Sequence, residues 1–198
     1  MTIILDNISK SYSGSVALQN FRAEIEWGKC YAFVGPAGSG KSTVLNIFMG
    51  TVQPDSGQVS RMGDYKYPTL HSAYVPQDDS ALNLKKDALW NIKKAHRWAS
   101  KSKAMEDLSK FLTPEHITLP VGQLTPVERR FVALVQASFV TADFIVLDQP
   151  FDGMDASQRQ AAIDFILDFR GSRPTLIADT DETGLGFARI FHLSQPGA

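Results

Sequence analysis

One cysteine among 198 residues leaves no partner for an internal disulfide, which removes the small disulfide-stapled scaffolds from consideration. That residue lies in Cys30-Tyr31-Ala32-Phe33-Val34, an apolar run that reads as a buried strand, so packing is its expected role. No apolar stretch approaches the roughly 18 residues a membrane span needs, so any work at a membrane would require another chain to cross it. The opening residues Met1-Thr2-Ile3-Ile4-Leu5-Asp6 lack a basic segment ahead of a long apolar one. No signal peptide is expected, and a cytoplasmic setting is. An excess of charge is missing too: 20 Lys and Arg stand against 21 Asp and Glu, for a net charge of -1. Bulk electrostatics therefore do not point to nucleic acid. What is present, 43% hydrophobic and 21% charged residues, describes a soluble globular domain rather than a disordered chain. At this length folding can remove roughly 70% of the unfolded chain's surface from water, so a full core needs no staples.

No repeat or low-complexity linker breaks the chain. Ile3, Leu5 and Ile8, then Phe21, Ala23, Ile25 and Trp27, punctuated by Gly14 and Gly28, predict short, half-exposed antiparallel strands. The buried strand Tyr31 to Val34 follows, then a glycine loop and a helix carrying Val44, Leu45, Ile47, Phe48 and Met49. Pro54-Asp55-Ser56-Gly57 reads as a turn, and Ala73-Tyr74-Val75 as a short strand. From Ser80 to about Leu112 apolar residues recur at helical spacing among many lysines. A helix from Val127 to Val140, the strand Phe144-Ile145-Val146-Leu147, a helix from about Ala156 to Phe169 and the strand Thr175 to Ala178 complete the pattern. Short apolar strands alternating with helices imply an α/β fold with a mostly parallel sheet, interrupted by a helical insertion.

Two motifs carry chemistry. Gly35-Pro36-Ala37-Gly38-Ser39-Gly40-Lys41-Ser42 fits G-x-x-x-x-G-K-[ST] between a strand and a helix. Glycines let backbone N–H groups turn inward onto phosphate oxygens, and the helix N-terminus adds positive partial charge. Lys41 would reach the β- and γ-phosphates, the Ser42 hydroxyl would ligate Mg²⁺, and Thr43 would cap the helix or touch the α-phosphate. An accidental match in a chain this long has a probability on the order of one per cent. The second motif is Phe144-Ile145-Val146-Leu147-Asp148, a carboxylate at the end of a buried strand. Such an aspartate suits the Mg²⁺ shell of a nucleotide site.

With these motifs the chain resembles an ATP-binding cassette (ABC) nucleotide-binding domain over nearly its whole length. The resemblance implies a P-loop NTPase core with an N-terminal antiparallel β-subdomain and a helical insertion. A single domain would span residues 1–198, with its core in 1–77 and 124–198 and the helical part at about 78–123. Tyr12 falls where the family stacks an aromatic on adenine, with a plain strand residue as the lesser competing reading, and Val16 falls where an apolar residue flanks the ring. Val75-Pro76-Gln77-Asp78 resembles the Q-loop, whose Gln approaches Mg²⁺; Asp148-Gln149-Pro150 and Phe151-Asp152-Gly153-Met154-Asp155 resemble the end of Walker B and the D-loop. ATP and Mg²⁺ are the implied ligands. The implied partners are a second cassette, in a homodimer or a heterodimer, and a transmembrane transporter subunit on whose cytoplasmic side the chain would sit.

Three positions depart from the family. Gln149 stands where the family has a catalytic Glu; an amide can hydrogen-bond water but cannot take its proton. Thr180 aligns with the switch histidine and reaches less far towards a γ-phosphate. The signature, usually L-S-G-G-Q, reads Leu124-Thr125-Pro126-Val127-Glu128. Thr125 keeps the hydroxyl, whereas Pro126 has no N–H and Val127 hinders close backbone approach. Gln149 alone would suit an engineered ATP trap; together with the other two it points to a naturally weak cassette.

Between Asp78 and Lys103 six basic residues (Lys85, Lys86, Lys93, Lys94, Arg97, Lys101) mix with Leu82, Leu84, Leu89, Trp90 and Trp98. A solvated helical face and a docking surface for a membrane subunit both fit this mixture, and the balanced net charge disfavours a nucleic-acid patch. His71, His96, His116 and His192 show no metal-ligand spacing. The expected function is an ATP-binding transporter subunit with impaired hydrolysis; the alternative is a regulatory module that closes on ATP. A translation or DNA-repair ATPase would need paired cassettes or long insertions, and a small-molecule kinase would make the Gln77 and D-loop matches accidents.

Overall fold

The structure, a computed structural model, describes residues 2–62 and 70–195. Its first element pair is a ribbon of β1 (Thr2–Tyr12) and β2 (Ser15–Glu26). Ser13 and Gly14 join the two strands, both with positive φ, which is the backbone a two-residue hairpin turn with the right twist requires. These strands have 11 and 12 residues, longer than the short strands expected. Ile3 and Leu5 keep a period of two, and an irregularity at Asn7 (φ 51°) rephases the strand so that Ile8 also points inward. Trp27 falls outside β2, half-exposed in the turn, with an edge-on contact to Phe144.

β3 (Cys30–Val34) leads through the glycine loop into α1 (Lys41–Met49). β4 (Ser56–Met62) pairs antiparallel with β1, completing a three-stranded sheet of order β2-β1-β4. Ser56 and Gly57 therefore belong to a strand rather than to the expected turn. A Cβ on Gly57 would lie 2.3 Å from the Asn7 carbonyl. Asp55 accepts from Lys10 Nζ (2.6 Å) and from the Ser11 N–H (2.7 Å), stitching β1 to the start of β4.

Next come β5 (Ser72–Val75), α2 (Ala88–Ala95), α3 (Lys101–Leu108), α4 (Pro114–Thr118) and α5 (Pro126–Ser138). β6 (Phe144–Asp148), α6 (Ala156–Arg170), β7 (Thr175–Asp179) and β8 (Arg189–His192) follow. A five-stranded sheet of order β5-β6-β7-β3-β8 has parallel pairing throughout.

The three central strands β6, β7 and β3 are buried on both faces, which is why they are continuous apolar runs, while the edge strands β5 and β8 are only partly covered. Alternate residues divide between two clusters. Tyr31, Phe33, Phe144, Val146 and Leu176 face α1 and the antiparallel sheet. Ala32, Val34, Ile145, Leu147 and Ile177 face α5, α6 and the helical arm, in one cluster with Ile92 and Leu108. Cys30 is buried as expected, and burial pushes its thiol above the ordinary range.

The expected continuous helical pattern from Ser80 to Leu112 is broken into a 3-10 turn (Asp79–Ala81), α2 and α3. Buried Asn91 explains the first break. Its Oδ1 accepts from Asn83 N–H (2.7 Å) and its Nδ2 donates to Asn83 O (3.2 Å) and Asp87 O (2.9 Å). That holds 82–87 in an irregular loop until Asp87 caps α2 through the Trp90 N–H.

Candidate functional site

The glycine loop wraps the end of β3 so tightly that side chains have no room. A Cβ on Gly35 would lie 2.1 Å from the Leu193 carbonyl oxygen, and one on Gly40 would lie 2.3 Å from that of Ala17. Gly40, with φ 87°, is the N-cap of α1 and makes no side-chain cap bond. The first N–H groups of the helix are thus left facing the loop, where an anion is the natural partner. Thr43 lies inside the first turn rather than capping it.

Lys41 is only 4% exposed. Its ammonium donates to Gly35 O and Pro36 O, both at 2.7 Å, and reaches Ser39 Oγ at 3.5 Å. Burial pushes it below the ordinary lysine range, against the opposing pull of Asp148 and Asp179. Asp148, at the end of β6, is buried, and its Oδ1 finds no hydrogen-bond partner among the described residues. Burial raises its carboxyl above the ordinary value; Ser42's hydroxyl, Lys41 and Arg130 oppose that shift. An orphaned carboxylate oxygen beside a hydroxyl is a hard oxygen pair, and it fits Mg²⁺, which takes one or two protein oxygens with phosphates and water completing the shell. Among the described residues no cluster of three or more His, Cys, Asp or Glu offers an all-protein cage instead.

A cleft of about 340 Å³ runs outward from this junction. It brings together Tyr12, Ala37, Gly38, Gly40, Lys41, Ser42, Thr43, Gln77 and Gln149. Tyr12 is 45% exposed, with Lys10 Nζ 5.6 Å from its ring centroid, so the ring offers a free face. Ala17, not Val16, lines the cleft; neighbouring strand residues face opposite ways, and Val16 points out, 42% exposed. Gln149 enters with φ 47°, a conformation that costs a non-glycine residue about 1–2 kcal/mol, while its N–H donates to Ala178 O at 2.8 Å.

Gln77 lines this cleft and also a neighbouring cavity of about 210 Å³ with Asp78, Asp79, Arg129 and Arg130. Sequence reasoning missed the two arginines that join this loop to α5. Buried Arg130 donates to Pro76 O at 2.5 Å, and Arg129 pairs with Asp79 at 2.8 Å. It also missed Gln195, whose Nε2 donates to Ala37 O at 2.8 Å. No local pattern links residues so far apart in the chain.

Thr125 and Thr180 lie outside the cleft lining. Thr180 is exposed at the end of β7, its N–H held by Asp179 Oδ1 at 2.6 Å. Thr125 is the N-cap of α5, and its hydroxyl is already engaged: it donates to Glu128 Oε2 (2.8 Å) and accepts from the Glu128 N–H (3.2 Å). Glu128 Oε1 in turn sits 2.5 Å from His116 Nδ1. The signature segment thus presents a self-satisfied carboxylate and no N–H at Pro126.

Comparison with known proteins agrees with this architecture. The ABC transporter family model matches residues 18–152. The manganese transport system ATP-binding protein MntA of Synechocystis is 27% identical over 198 residues, covering 92% of this chain and 76% of that protein. The sulfate/thiosulfate import ATP-binding protein CysA of Nephroselmis olivacea is 31% identical, covering 88% of this chain and 53% of that protein. Among solved structures, a dimeric bacterial ABC transporter cassette superposes with a TM-score of 0.79 at 24% identity, covering 98% of this chain and 94% of the other; this likeness concerns the fold.

Proposed function

The chain belongs to the ABC transporter family, and on that premise we propose that it is the ATP-binding subunit of a transporter, with weakened hydrolysis. The observation that carries the reading is a cleft lined by buried Lys41, by Ser42 and by the exposed Tyr12 ring, with the Asp148 carboxylate, one oxygen unpartnered, against Ser42 and Lys41. Tyr12 would stack on adenine. The open N–H groups of the loop and α1, with Lys41, would hold the β- and γ-phosphates. Asp148 and Ser42 would hold Mg²⁺, with Gln77 approaching from β5; the ion would neutralise charge on the phosphates.

In hydrolysis a water oxygen attacks the γ-phosphorus while the bond to the β–γ bridging oxygen breaks, and the water must give up a proton. Gln149 can orient that water by hydrogen bonding but has no basic site for the proton. Loss of a positioned base costs roughly 10²–10⁴ in rate, and Thr180, with its shorter reach, would lose one γ-phosphate contact. Thr125 would meet the nucleotide of a second cassette, with its hydroxyl already spent on Glu128.

Among the described residues no helix is long and apolar enough to cross a membrane, so a separate transmembrane subunit is the proposed partner and a peripheral position on the cytoplasmic face follows from it. A second reading, a regulatory cassette that closes on ATP and barely turns it over, is favoured by the Thr125–Glu128–His116 arrangement, which places a carboxylate where a phosphate grip would be.

Steady-state Mg-ATP turnover of the chain beside Gln149→Glu, with retention of labelled ATP measured in the same samples, tests these readings. Retention of ATP by both, with turnover that rises in the variant yet stays below the full restoration of about 10²–10⁴, is expected. Full restoration would reduce the defect to Gln149 alone. Absence of retained ATP would overturn the nucleotide reading.

A further inference from the structure

Arg159 has no role in the site as described, yet its guanidinium makes more bridging contacts than a surface residue of a helix requires. It lies in the first turns of α6, nearly buried. Its Nε donates to Thr183 O at 2.8 Å and its Nη2 to Asp181 O at 2.9 Å. The same Nη2 is 3.1 Å from Asp179 Oδ2, an ion pair without hydrogen-bond alignment. The guanidinium carbon lies 4.6 Å from the centroid of the Phe151 ring, within the range of a cation–π contact. One planar cation thereby joins two loops: residues 179–183, which carry Thr180, and the segment after β6, which carries Gln149 and Phe151.

Both loops leave the same end of the parallel sheet. Val34 pairs with Asp179 in register, and the Gly35 N–H donates to Asp179 O at 3.2 Å. Asp179 Oδ1 holds the Thr180 N–H at 2.6 Å and meets the Asp181 N–H at 3.4 Å. Asp179 is also close enough to Lys41 to act on its ammonium. The carboxylate that Arg159 pairs with is therefore buried beside the glycine loop that holds Lys41, behind the residues that line the cleft. Without Arg159 the buried carboxylate would keep only the more distant Lys41 as counter-charge and would oppose a phosphate arriving there, and its loop would lose the anchors at Asp181 and Thr183.

We infer that Arg159 is a positioning residue that ties the Thr180 loop to Phe151 and so sets the preference of the cleft for a nucleoside triphosphate over a diphosphate. The inference rests on the nucleotide reading above. A lysine cannot replace the fork: it could neutralise Asp179 but not span two carbonyls while lying flat on Phe151. On the nucleotide reading the clamped loop flanks Gly35 and Lys41, which would hold the β- and γ-phosphates, so a diphosphate is expected to depend on it less than a triphosphate does.

The test measures dissociation constants of Mg-ADP and of the magnesium complex of the non-hydrolysable imido analogue of ATP, for the wild type, Arg159→Ala and Arg159→Lys, with thermal unfolding on the same samples. Arg159→Ala is expected to weaken the triphosphate analogue about tenfold while moving Mg-ADP less than about twofold, and Arg159→Lys to fall between. A folded Arg159→Ala that weakens both nucleotides equally, or neither, overturns the inference as a merely structural role would. If Arg159→Ala does not fold, an unchanged triphosphate-to-diphosphate ratio in Arg159→Lys overturns it instead. A wild type that binds neither nucleotide overturns the nucleotide reading and this inference with it.

Discussion

A buried carboxylate with one orphaned oxygen is unfavourable in a ligand-free chain, and Asp148 is the residue where that strain and the function meet. Folding raises its carboxyl above the ordinary 3.8, so the folded state favours the protonated form. That contribution is complete below the unfolded value and is lost as pH rises through the folded one; at neutral pH the ionised group burdens the fold. Asp148→Asn is therefore expected to raise the melting temperature of the ligand-free chain at pH 7, on the scale of about 2–4 °C per kcal/mol relieved. The same change should abolish the Mg²⁺ dependence of ATP retention. Melting curves at pH 7 and labelled-ATP retention with and without Mg²⁺ check both effects; retained Mg²⁺ dependence would remove Asp148 from the metal shell. Position 148 was legible because a carboxylate closing an apolar strand is a local pattern. Ala17 was not, because the choice between it and Val16 depends on which face of β2 turns to the loop.

The N-terminus of α5 shows how an element can be well formed and ill suited to a second task. Thr125 and Glu128 complete a capping box, with Pro126 at the first helical position. Burial pushes the Glu128 carboxyl up, but His116 and the N–H and hydroxyl of Thr125 together hold it below the ordinary 4.5. A depressed carboxyl stabilises above the unfolded value and loses that contribution as pH falls through the folded one. Glu128→Gln keeps the capping geometry and removes the charge. It should destabilise the chain at pH 7 by about 0.3–1 kcal/mol, the worth of a carboxylate at a helix N-terminus. The difference from the wild type should shrink as pH falls through the depressed folded-state value of the carboxyl; denaturant melts over a descending pH series read it directly, and a loss independent of pH would assign the effect to shape alone. Much of this helix was readable from Val132, Ala133 and Leu134, and it starts one residue before expectation because Pro126 fits a first turn. The arm before it was less readable. Its apolar spacing ran on through 82–87, where the buried amide of Asn91 supports a loop that periodicity alone does not reveal.

Over the whole molecule, two sheets share one cluster around α1 while the helical arm shares another with α5 and α6. The arm's outer side carries a groove of about 600 Å³ between the 80–85 segment and α2, lined by Leu82, Leu84, Trp90, Lys94 and Gln136. Leu84 and Trp90 are partly exposed there, with Lys86 beside the Trp90 ring. This is the proposed seat of the membrane subunit. Replacing Leu84 and Trp90 together by Asp should abolish co-purification with that subunit while leaving ATP retention unchanged; unaltered co-purification would return the groove to an ordinary solvated surface. The strands β3, β6 and β7 were legible at this scale, because both buried faces leave uninterrupted apolar runs, whereas β8, Arg189–His192, carries no such run. The order β5-β6-β7-β3-β8 was not, since nothing local says which strands become neighbours.

One close approach binds two segments distant in the chain. A Cβ on Gly35 would collide with the Leu193 carbonyl, and Gln195 bonds Ala37 across 158 positions of chain. The phosphate loop and the stretch that follows β8 therefore cannot drift independently. Any side chain at position 35 would have to displace the backbone at Leu193, so the shape of the loop is set by the stretch after β8 as well as by its own sequence neighbours.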